Sequence, residues 1–260
     1  MTILKAIGSF FSKIWRWIKD TAWVQPLLIV GAIFGVIFSI PSITKAIEEA
    51  IANANSTETF YQTYQKSMEG GADSAADKII DLIEQKEAGE DVTSEYGNKF
   101  FFVFVSENCD PCTNARGGFE KLKDNWGSTY IAEDGLPFNL VTVFTDEVTT
   151  ETTTRESAFV QYMDRNSSFF EEAGQVGRES QYYLNGKITD KDLEYLESAD
   201  PDEFVTPTIL LVDFGKDGKS GPGVSEVMFG VTGADDYEKA QLLMDCWNGE
   251  GDFAARESKK

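Results

Sequence analysis

The sequence contains no histidine and only three cysteines among its 260 residues. Without an imidazole group, the chain cannot build a Ser-His-Asp triad, a Cys-His dyad, a His-ligated haem or a His-bearing zinc site. Three cysteines are too few for a four-cysteine zinc site or a dense disulfide scaffold. We therefore predict neither a metal site nor a bound cofactor.

Positive charge is also scarce, because 23 lysines and arginines face 44 aspartates and glutamates and leave a net charge of −21. This balance excludes nucleic acid as a partner, since nucleic-acid binding needs a cationic surface. The charge is uneven. Residues 1–45 carry five basic side chains and one acidic one, a net +4, so the remaining residues carry −25. A basic beginning and an acidic body indicate that the two parts occupy different surroundings.

A long uncharged run follows the basic beginning. Residues 21–44 contain no charged side chain, and residues 24–40 are nearly all apolar. At about 1.5 Å per residue, a helix over 24–40 spans about 26 Å, at the short end for crossing a bilayer. Residues 1–20 carry apolar side chains at helical spacing with basic side chains between them. This pattern is typical of a cationic amphipathic helix that lies on the anionic leaflet of a membrane. We predict an amphipathic helix over 1–20 and a transmembrane anchor over 21–44.

The basic flank also sets the expected orientation of the anchor. The positive-inside bias places residues 1–20 in the cytoplasm and the acidic body outside, in a single-pass protein of the cell membrane. Two alternatives stay open. One is a signal peptide cleaved near Ala52-Asn53-Ala54, which has the small-x-small form of a cleavage site. The other is an apolar helix buried in a hairpin.

The acidic body is predicted to be one domain over residues 74–250, between a linker and helix over 45–73 and a tail over 251–260. Strands that alternate with helices indicate an α/β fold with a parallel centre, to which a final hairpin adds an antiparallel edge. The run 59–64 suits either a strand or a helix. The predicted strands are 100–105, 140–145, 208–214 and 224–229, and the predicted helices include 74–87, 154–172, 188–198 and 235–247.

Two of the three cysteines, Cys109 and Cys112, lie where a buried strand runs straight into a helix. The thiolate is the reactive form of cysteine, and a helix N-terminus stabilises it with roughly half a positive charge and unpaired N–H donors. Cys109 is expected at the exposed edge, with Cys112 turned back beneath it. Pro111 suits the first turn, which needs no N–H from it. Cys246 has apolar helical neighbours and is expected to be a buried core residue.

With these features, the sequence resembles the thioredoxin-like superfamily. The matching features are the strand–Cys109-Asp110-Pro111-Cys112–helix unit, Glu107 before it, Thr206-Pro207 at the head of a strand, and a closing strand–strand–helix with Gly230. The resemblance covers residues 74–250, approximately. It implies an α/β, thioredoxin-like fold with a central mixed sheet flanked by helices, elaborated here by a helical insertion at 148–203 and the N-terminal transmembrane helix.

The resemblance also implies roles for single residues. Cys109 would be the nucleophile, and Cys112 the resolving thiol. Thr206 and Pro207 would form a substrate-binding edge that faces the cysteines, with a cis peptide bond before the proline.

Residues beside the cysteines are predicted to support them. Pro111 shapes the first helical turn. Asp110 is negative and adjacent to the nucleophile, so it disfavours the thiolate and favours a reductant or mild exchanger over a strong oxidant. Glu107 is our candidate for a proton relay.

The sequence departs from thioredoxins proper at several positions. Asn108 stands in place of tryptophan before the first cysteine, and Val103 in place of the buried aspartate that moves the resolving thiol's proton. Gly117-Gly118 replaces the proline of the following helix, at a cost of up to ~1 kcal/mol per glycine. The segment from Cys112 to Pro207 is also far longer than the corresponding segment of a compact thioredoxin. The chain is more similar to membrane-tethered extracytoplasmic relatives of Gram-positive bacteria and to bacteriocin-export accessory proteins.

Two functional hypotheses follow. The first is a membrane-tethered thiol–disulfide oxidoreductase that exchanges disulfides with exported proteins bearing thiols or disulfides, recycled by a separate redox partner that the sequence does not identify. The second is a non-catalytic accessory or binding subunit of an export or envelope complex, in which Cys109 and Cys112 are incidental, either as a structural disulfide or as an inherited pair. The Cys-x-x-Cys motif and Thr206-Pro207 favour the first hypothesis, and Val103 and Asn108 favour the second.

Overall fold

The computed structural model describes residue 30 and residues 57–146, 158–179 and 190–249. The predicted amphipathic helix over 1–20, the anchor over 21–44 apart from Val30, the candidate cleavage site and the tail over 251–260 lie outside these residues. Within the described ranges, no helix has the length and apolar character needed to span a bilayer.

The described part of residues 57–249 contains seven α-helices and four strands, with a single 3₁₀ turn at Gly71–Asp73. The helices are α1 (Thr57–Gln62), α2 (Ala75–Glu87), α3 (Asp110–Asp124), α4 (Ala158–Arg165), α5 (Ser167–Glu179), α6 (Asp190–Glu197) and α7 (Asp236–Asn248). The strands are β1 (Lys99–Val105), β2 (Leu140–Phe144), β3 (Thr208–Asp213) and β4 (Gly223–Phe229). All four strands lie within a residue of the predicted ones.

The four strands form one mixed sheet in the order β2-β1-β3-β4. Strand β2 is parallel to β1, whereas β3 is antiparallel to both of its neighbours, β1 and β4. The predicted α/β class with a mixed sheet between helices is therefore confirmed. The predicted parallel centre is wrong, because the central pair β1–β3 is antiparallel. The closing hairpin does not only extend an edge: its first strand enters the middle of the sheet.

Strand β1 is buried along its whole length, which explains its unbroken apolar sequence. Its alternate side chains point to opposite faces of the sheet. Phe100, Phe102 and Phe104 pack on one face with α2 and with the helices of the insertion, and Phe104 contacts the rings of Phe159 and Phe170. The predicted insertion thus completes one of the two hydrophobic layers.

The other face of the sheet packs against α1, α3 and α7. Phe101, Val103 and Val105 of β1 belong to this layer, together with Phe119 of α3 and Trp247 of α7. The rings of Phe101 and Phe119 make an edge-to-face contact with centroids 5.5 Å apart. The first turn of α3 holds the cysteine pair, so this second layer is the one that supports the pair.

Helix α2 begins where the sequence predicted, at the N-cap Ser74, whose side chain accepts a hydrogen bond from the backbone N–H of Asp77. The buried carboxylate of Asp77 receives two hydrogen bonds from the guanidinium of Arg165, at 3.2 and 2.9 Å, and one from the side-chain amide of Asn166. Asn166 separates α4 from α5, where the sequence predicted one continuous helix over 154–172. Its side-chain amide donates to the carboxylate of Asp77 and to the carbonyl of Tyr162. The break between the two helices therefore places a hydrogen-bond donor beside a buried charge.

Residues 57–66, which precede the predicted domain start, pack against the same sheet. The ambiguous run 59–64 lies mostly within helix α1. The chain then forms a parallel bridge from Gln65 to Thr142 on β2, with the N–H of Lys66 donating to the carbonyl of Thr142 at 2.8 Å. The side chain of Tyr61 is fully buried. This segment pairs with the outer edge of β2 and also packs against α3, the helix that carries the cysteines.

Candidate active site at the Cys109–Cys112 pair

The turn between β1 and α3 consists of Ser106, Glu107 and Asn108. Asn108 has φ 53°, in the left-handed region that asparagine enters more readily than most residues. The chain then re-enters the extended region at Cys109 (φ −89°), which is the N-cap of α3. Asparagine at position 108 therefore suits the backbone conformation that leads into Cys109 at the helix N-terminus.

Cys109 and Cys112 form a disulfide with an S–S distance of 2.03 Å and a Cα–Cα distance of 5.2 Å. The sulfur of Cys109 also accepts a hydrogen bond from the backbone N–H of Cys112, at 3.0 Å. A reduced Cys109 would keep this donor and the positive end of the helix dipole, and both favour a thiolate.

The two sulfurs differ in access to solvent. Cys112 is fully buried, whereas Cys109 is half-buried. An incoming thiolate can therefore reach Cys109 but not Cys112. The predicted geometry, with Cys112 turned back beneath an accessible Cys109, is confirmed.

The strand that follows the insertion brings Thr206 and Pro207 to the disulfide. The Thr206–Pro207 peptide bond is cis, as the resemblance implies. The Thr206 hydroxyl oxygen lies 3.5 Å from the sulfur of Cys109, and the Thr206 carbonyl oxygen lies 3.6 Å from it. Residues almost a hundred positions apart in sequence thus meet at one sulfur.

The antiparallel register of β1 and β3 explains this meeting. Phe104 pairs with Thr208, so two residues further along β1 the chain reaches Ser106 opposite Thr206. The hydroxyls of Ser106 and Thr206 are 2.8 Å apart, within hydrogen-bond distance. The C-terminal end of β1 and the N-terminal end of β3 therefore lie side by side. Helix α3 begins at this same end of the two strands.

The loop after β4 completes the surroundings. The N–H of Gly230 donates to the carbonyl of Pro207 at 2.8 Å, and the side-chain amide of Asn114 on α3 donates to the carbonyl of Val231 at 3.3 Å. Gly230 has φ 72°, a conformation that favours glycine. These bonds link the cis-proline segment to the last loop, and the last loop to α3, beside Cys109.

The predicted supporting residues lie on the exposed rim. Asp110 and Pro111 occupy the first turn of α3 and are exposed. Glu107 is exposed as well, and its backbone N–H donates to the carboxylate of Asp146. Val103 is fully buried in the same hydrophobic layer as Cys112. The proton-relay role of Glu107 stays a prediction.

Tyr61 is a site residue that the sequence did not indicate. Its hydroxyl donates to the carbonyl oxygen of Cys112 at 2.9 Å, and its ring packs edge-to-face on Phe119. Burial raises the pKa of Tyr61, so the phenol remains a neutral donor. The only sequence signal was an aromatic run at 60–64, and nothing in the pattern connects that run to Cys112.

The glycine pair of α3 has a packing role that the sequence also did not show. A methyl group added at Gly118 would lie 2.8 Å from Cβ of Lys239 and 3.3 Å from Cδ1 of Leu243, both on α7. A methyl group at Gly117 would meet the carboxylate of Asp236 instead. The absence of side chains here lets α3 and α7 approach closely.

The third cysteine lies in the core of the same layer. Cys246 on α7 is fully buried, as its apolar neighbours predicted, and burial raises the pKa of its thiol well above the ordinary value. Within the described ranges, no three cysteine, aspartate or glutamate side chains are grouped so that they could hold a metal ion.

No family model, no curated protein and no solved structure matches this chain. The residues and their geometry are therefore the whole basis for a function.

Proposed function

We propose that this protein is a thiol–disulfide oxidoreductase with a thioredoxin-like fold. One observation carries the proposal: a disulfide at a helix N-terminus has one half-buried sulfur and one fully buried sulfur, and the half-buried one lies 3.5 Å from the Thr206 hydroxyl. A purely structural disulfide has no need of an accessible sulfur with aligned donors. A nucleophile that alternates between thiolate and mixed disulfide does.

The order of the strands supports the fold assignment. A parallel β1–β2 pair, an antiparallel β3–β4 hairpin beside β1, and helices on both faces match what the resemblance implies for this superfamily. The cysteine pair lies between β1 and α3, and the cis-proline lies at the head of β3.

The proposed exchange moves two electrons between the protein and a substrate dithiol. A substrate thiolate attacks the sulfur of Cys109, the Cys109–Cys112 bond breaks, and Cys112 leaves as a thiolate that takes up a proton. A second substrate thiolate then attacks the substrate sulfur of the mixed disulfide and releases the Cys109 thiolate. The substrate gains a disulfide and the protein becomes a dithiol. The reverse sequence reduces a substrate disulfide.

We further propose that the N-terminal segment tethers this domain to the cell membrane, with the domain outside and exported proteins as substrates. The supports are the uncharged run over 21–44, the basic residues before it and the acidic body after it. An extracytoplasmic location is also the compartment in which such a disulfide persists.

A Cys112→Ser variant of the full-length chain tests the exchange. If Cys109 attacks substrate disulfides, this variant cannot resolve the mixed disulfide, and adducts that disappear on reduction accumulate on non-reducing gels of the producing cells. The double variant Cys109→Ser/Cys112→Ser is the matched control and should form no adduct. The absence of adducts from Cys112→Ser would contradict the proposal.

Val103 favours a second candidate, the non-catalytic accessory or binding subunit. It is a fully buried apolar side chain at the position where the superfamily's relay carboxylate would lie. On this hypothesis the two cysteines are incidental to the function, and Cys109→Ser leaves the cellular function intact. Loss of that function in Cys109→Ser together with trapped adducts in Cys112→Ser would exclude it.

A further inference from the structure

Ser106 stands next to the proposed nucleophile without touching it. The Ser106 hydroxyl is half-buried and lies 2.8 Å from the hydroxyl of Thr206, which in turn lies 3.5 Å from the sulfur of Cys109. Three groups thus form a chain from the end of β1, through the head of β3, to the sulfur. Each separation is within range for its atom types, because sulfur accepts hydrogen bonds at longer distances than oxygen.

Thr206 presents two opposed groups to Cys109. Its carbonyl oxygen, 3.6 Å from the sulfur, can accept a proton from a thiol but repels a thiolate. Its hydroxyl can donate to a thiolate and so favours the charged form. The balance between these groups therefore depends on where the single hydroxyl proton of Thr206 points.

Ser106 bears on that direction, because its hydroxyl can either donate to the Thr206 hydroxyl or accept from it. The Thr206 hydroxyl has one proton and two acceptors within reach, the oxygen of Ser106 and the sulfur of Cys109. When Ser106 donates its own proton to Thr206, the Thr206 proton is left for the sulfur, and each bond of the chain strengthens the other. Because a thiolate is a far stronger acceptor than a disulfide sulfur, reduction of Cys109 selects this direction.

We propose that Ser106 is a positioning residue that, through the Thr206 hydroxyl, stabilises the Cys109 thiolate and thereby sets the reactivity of the reduced pair. This inference rests on the proposed function for its biological meaning. Its physical content concerns only the reduced chain, so it can be tested without a substrate.

The test measures how fast Cys109 of the reduced full-length chain is alkylated by iodoacetamide across a range of pH, with the modified peptide followed by mass spectrometry. Thr206→Val removes the donor to the sulfur, and the midpoint of the pH–rate profile should rise by about one pH unit, because one hydrogen bond to a charged group is lost. Ser106→Ala should raise the midpoint in the same direction by roughly half as much. Ser106→Thr, which restores a hydroxyl, should return it to the wild-type value.

The double variant Ser106→Ala/Thr206→Val separates a relay from two independent effects. If Ser106 acts through Thr206, the double variant behaves as Thr206→Val alone, whereas independent effects add. Ser225→Ala is the matched control, because it removes a half-buried hydroxyl that donates to the carbonyl of Leu211 within the sheet, and it should not move the midpoint.

Two results would overturn the inference: a wild-type midpoint in Ser106→Ala while Thr206→Val shifts, or additive shifts in the double variant. Should Thr206→Val fail to fold, Thr206→Ser keeps the hydroxyl, and in that background Ser106→Ala must still raise the midpoint. The adducts trapped by Cys112→Ser test the proposed function and not the role of Ser106. Missing adducts with the expected midpoint shifts would contradict the proposed function and leave the role of Ser106 standing.

Discussion

Substituting Gly118 by alanine tests whether the close approach of α3 and α7 shapes the helix that bears the cysteines. In a helix interior, alanine is favoured over glycine by about 1 kcal/mol, so propensity alone predicts stabilisation. Against this, the added methyl group would lie 2.8 Å from Cβ of Lys239 and 3.3 Å from Cδ1 of Leu243. Both obstacles are parts of buried residues. Overpacking of this kind costs about 1–3 kcal/mol, so we expect a net loss of about 1 kcal/mol.

Gly117→Ala is a matched control in the same helix, with the same gain in propensity. The three atoms nearest to its methyl group all belong to the carboxylate of Asp236, a half-exposed side chain that can move into solvent at the expense of its ion pair with Lys239. Because Asp236 is exposed although Lys239 is buried, weakening this pair should cost at most about 1 kcal/mol. The gain in helix propensity is about as large, so Gly117→Ala should be neutral or slightly stabilising.

Thermal unfolding of the purified full-length variants checks this pair of expectations. For a domain of this size, 1 kcal/mol corresponds to roughly 2–4 °C in Tm, so Gly118→Ala should melt below the wild type and Gly117→Ala at or above it. A Gly118→Ala protein at least as stable as Gly117→Ala would refute the packing argument.

Three further perturbations give distinct results. Burial, together with a neighbouring carboxyl on α5, raises the pKa of Glu87 from 4.5 to about 7. The protonated form of Glu87 is therefore the one that suits the folded state. Its stabilising contribution is fully present below pH 4.5 and is lost as the pH rises through 7. Glu87→Gln should therefore stabilise the protein at pH 8 by up to about 1 kcal/mol after solvent screening, seen as a Tm higher by roughly 2–4 °C, and should change little at pH 4. Asp77→Asn breaks the buried pair with Arg165 and should cost about 2 kcal/mol in chemical unfolding, an effect that a wild-type midpoint would contradict. Tyr61→Phe removes a buried hydrogen bond to the cysteine-bearing helix and should lower stability by about 1 kcal/mol, whereas an unchanged Tm would show that bond to be dispensable.

Local signals predicted most of the fold. A continuous apolar run marked β1, shorter apolar segments marked the other three strands, and Ser74 marked the start of α2. The position of β3 could not be predicted in this way, because whether a returning strand enters the centre or the edge of a sheet depends on which face each helix covers. The run 59–64 was ambiguous because six residues rich in aromatic and β-branched side chains suit either structure, and packing on Phe119 decides for a helix.

In the candidate site, too, local signals identified some residues, whereas residues that act through distant contacts were missed. Cys109 and Cys112 were identified from their position between a strand and a helix, and Thr206 and Pro207 from the resemblance. Ser106 was not identified, because a serine in a turn has many ordinary uses and its partner lies a hundred residues away. Gly117-Gly118 was recognised only as a cost to the helix, since its benefit depends on the side chains of α7.

The antiparallel pairing of β1 with β3 gives the chain an uneven tolerance to changes in length. Residues can be inserted between β2 and β3 without moving Thr206, because its place is fixed by the hydrogen-bond ladder to β1 and not by the length of the path that leads to it. One extra residue inside β3 would instead turn the side chains on one side of it to the other face of the sheet and separate Thr206 from Ser106. Over evolutionary time, insertions of new helices should therefore accumulate between β2 and β3 and be absent from within β3.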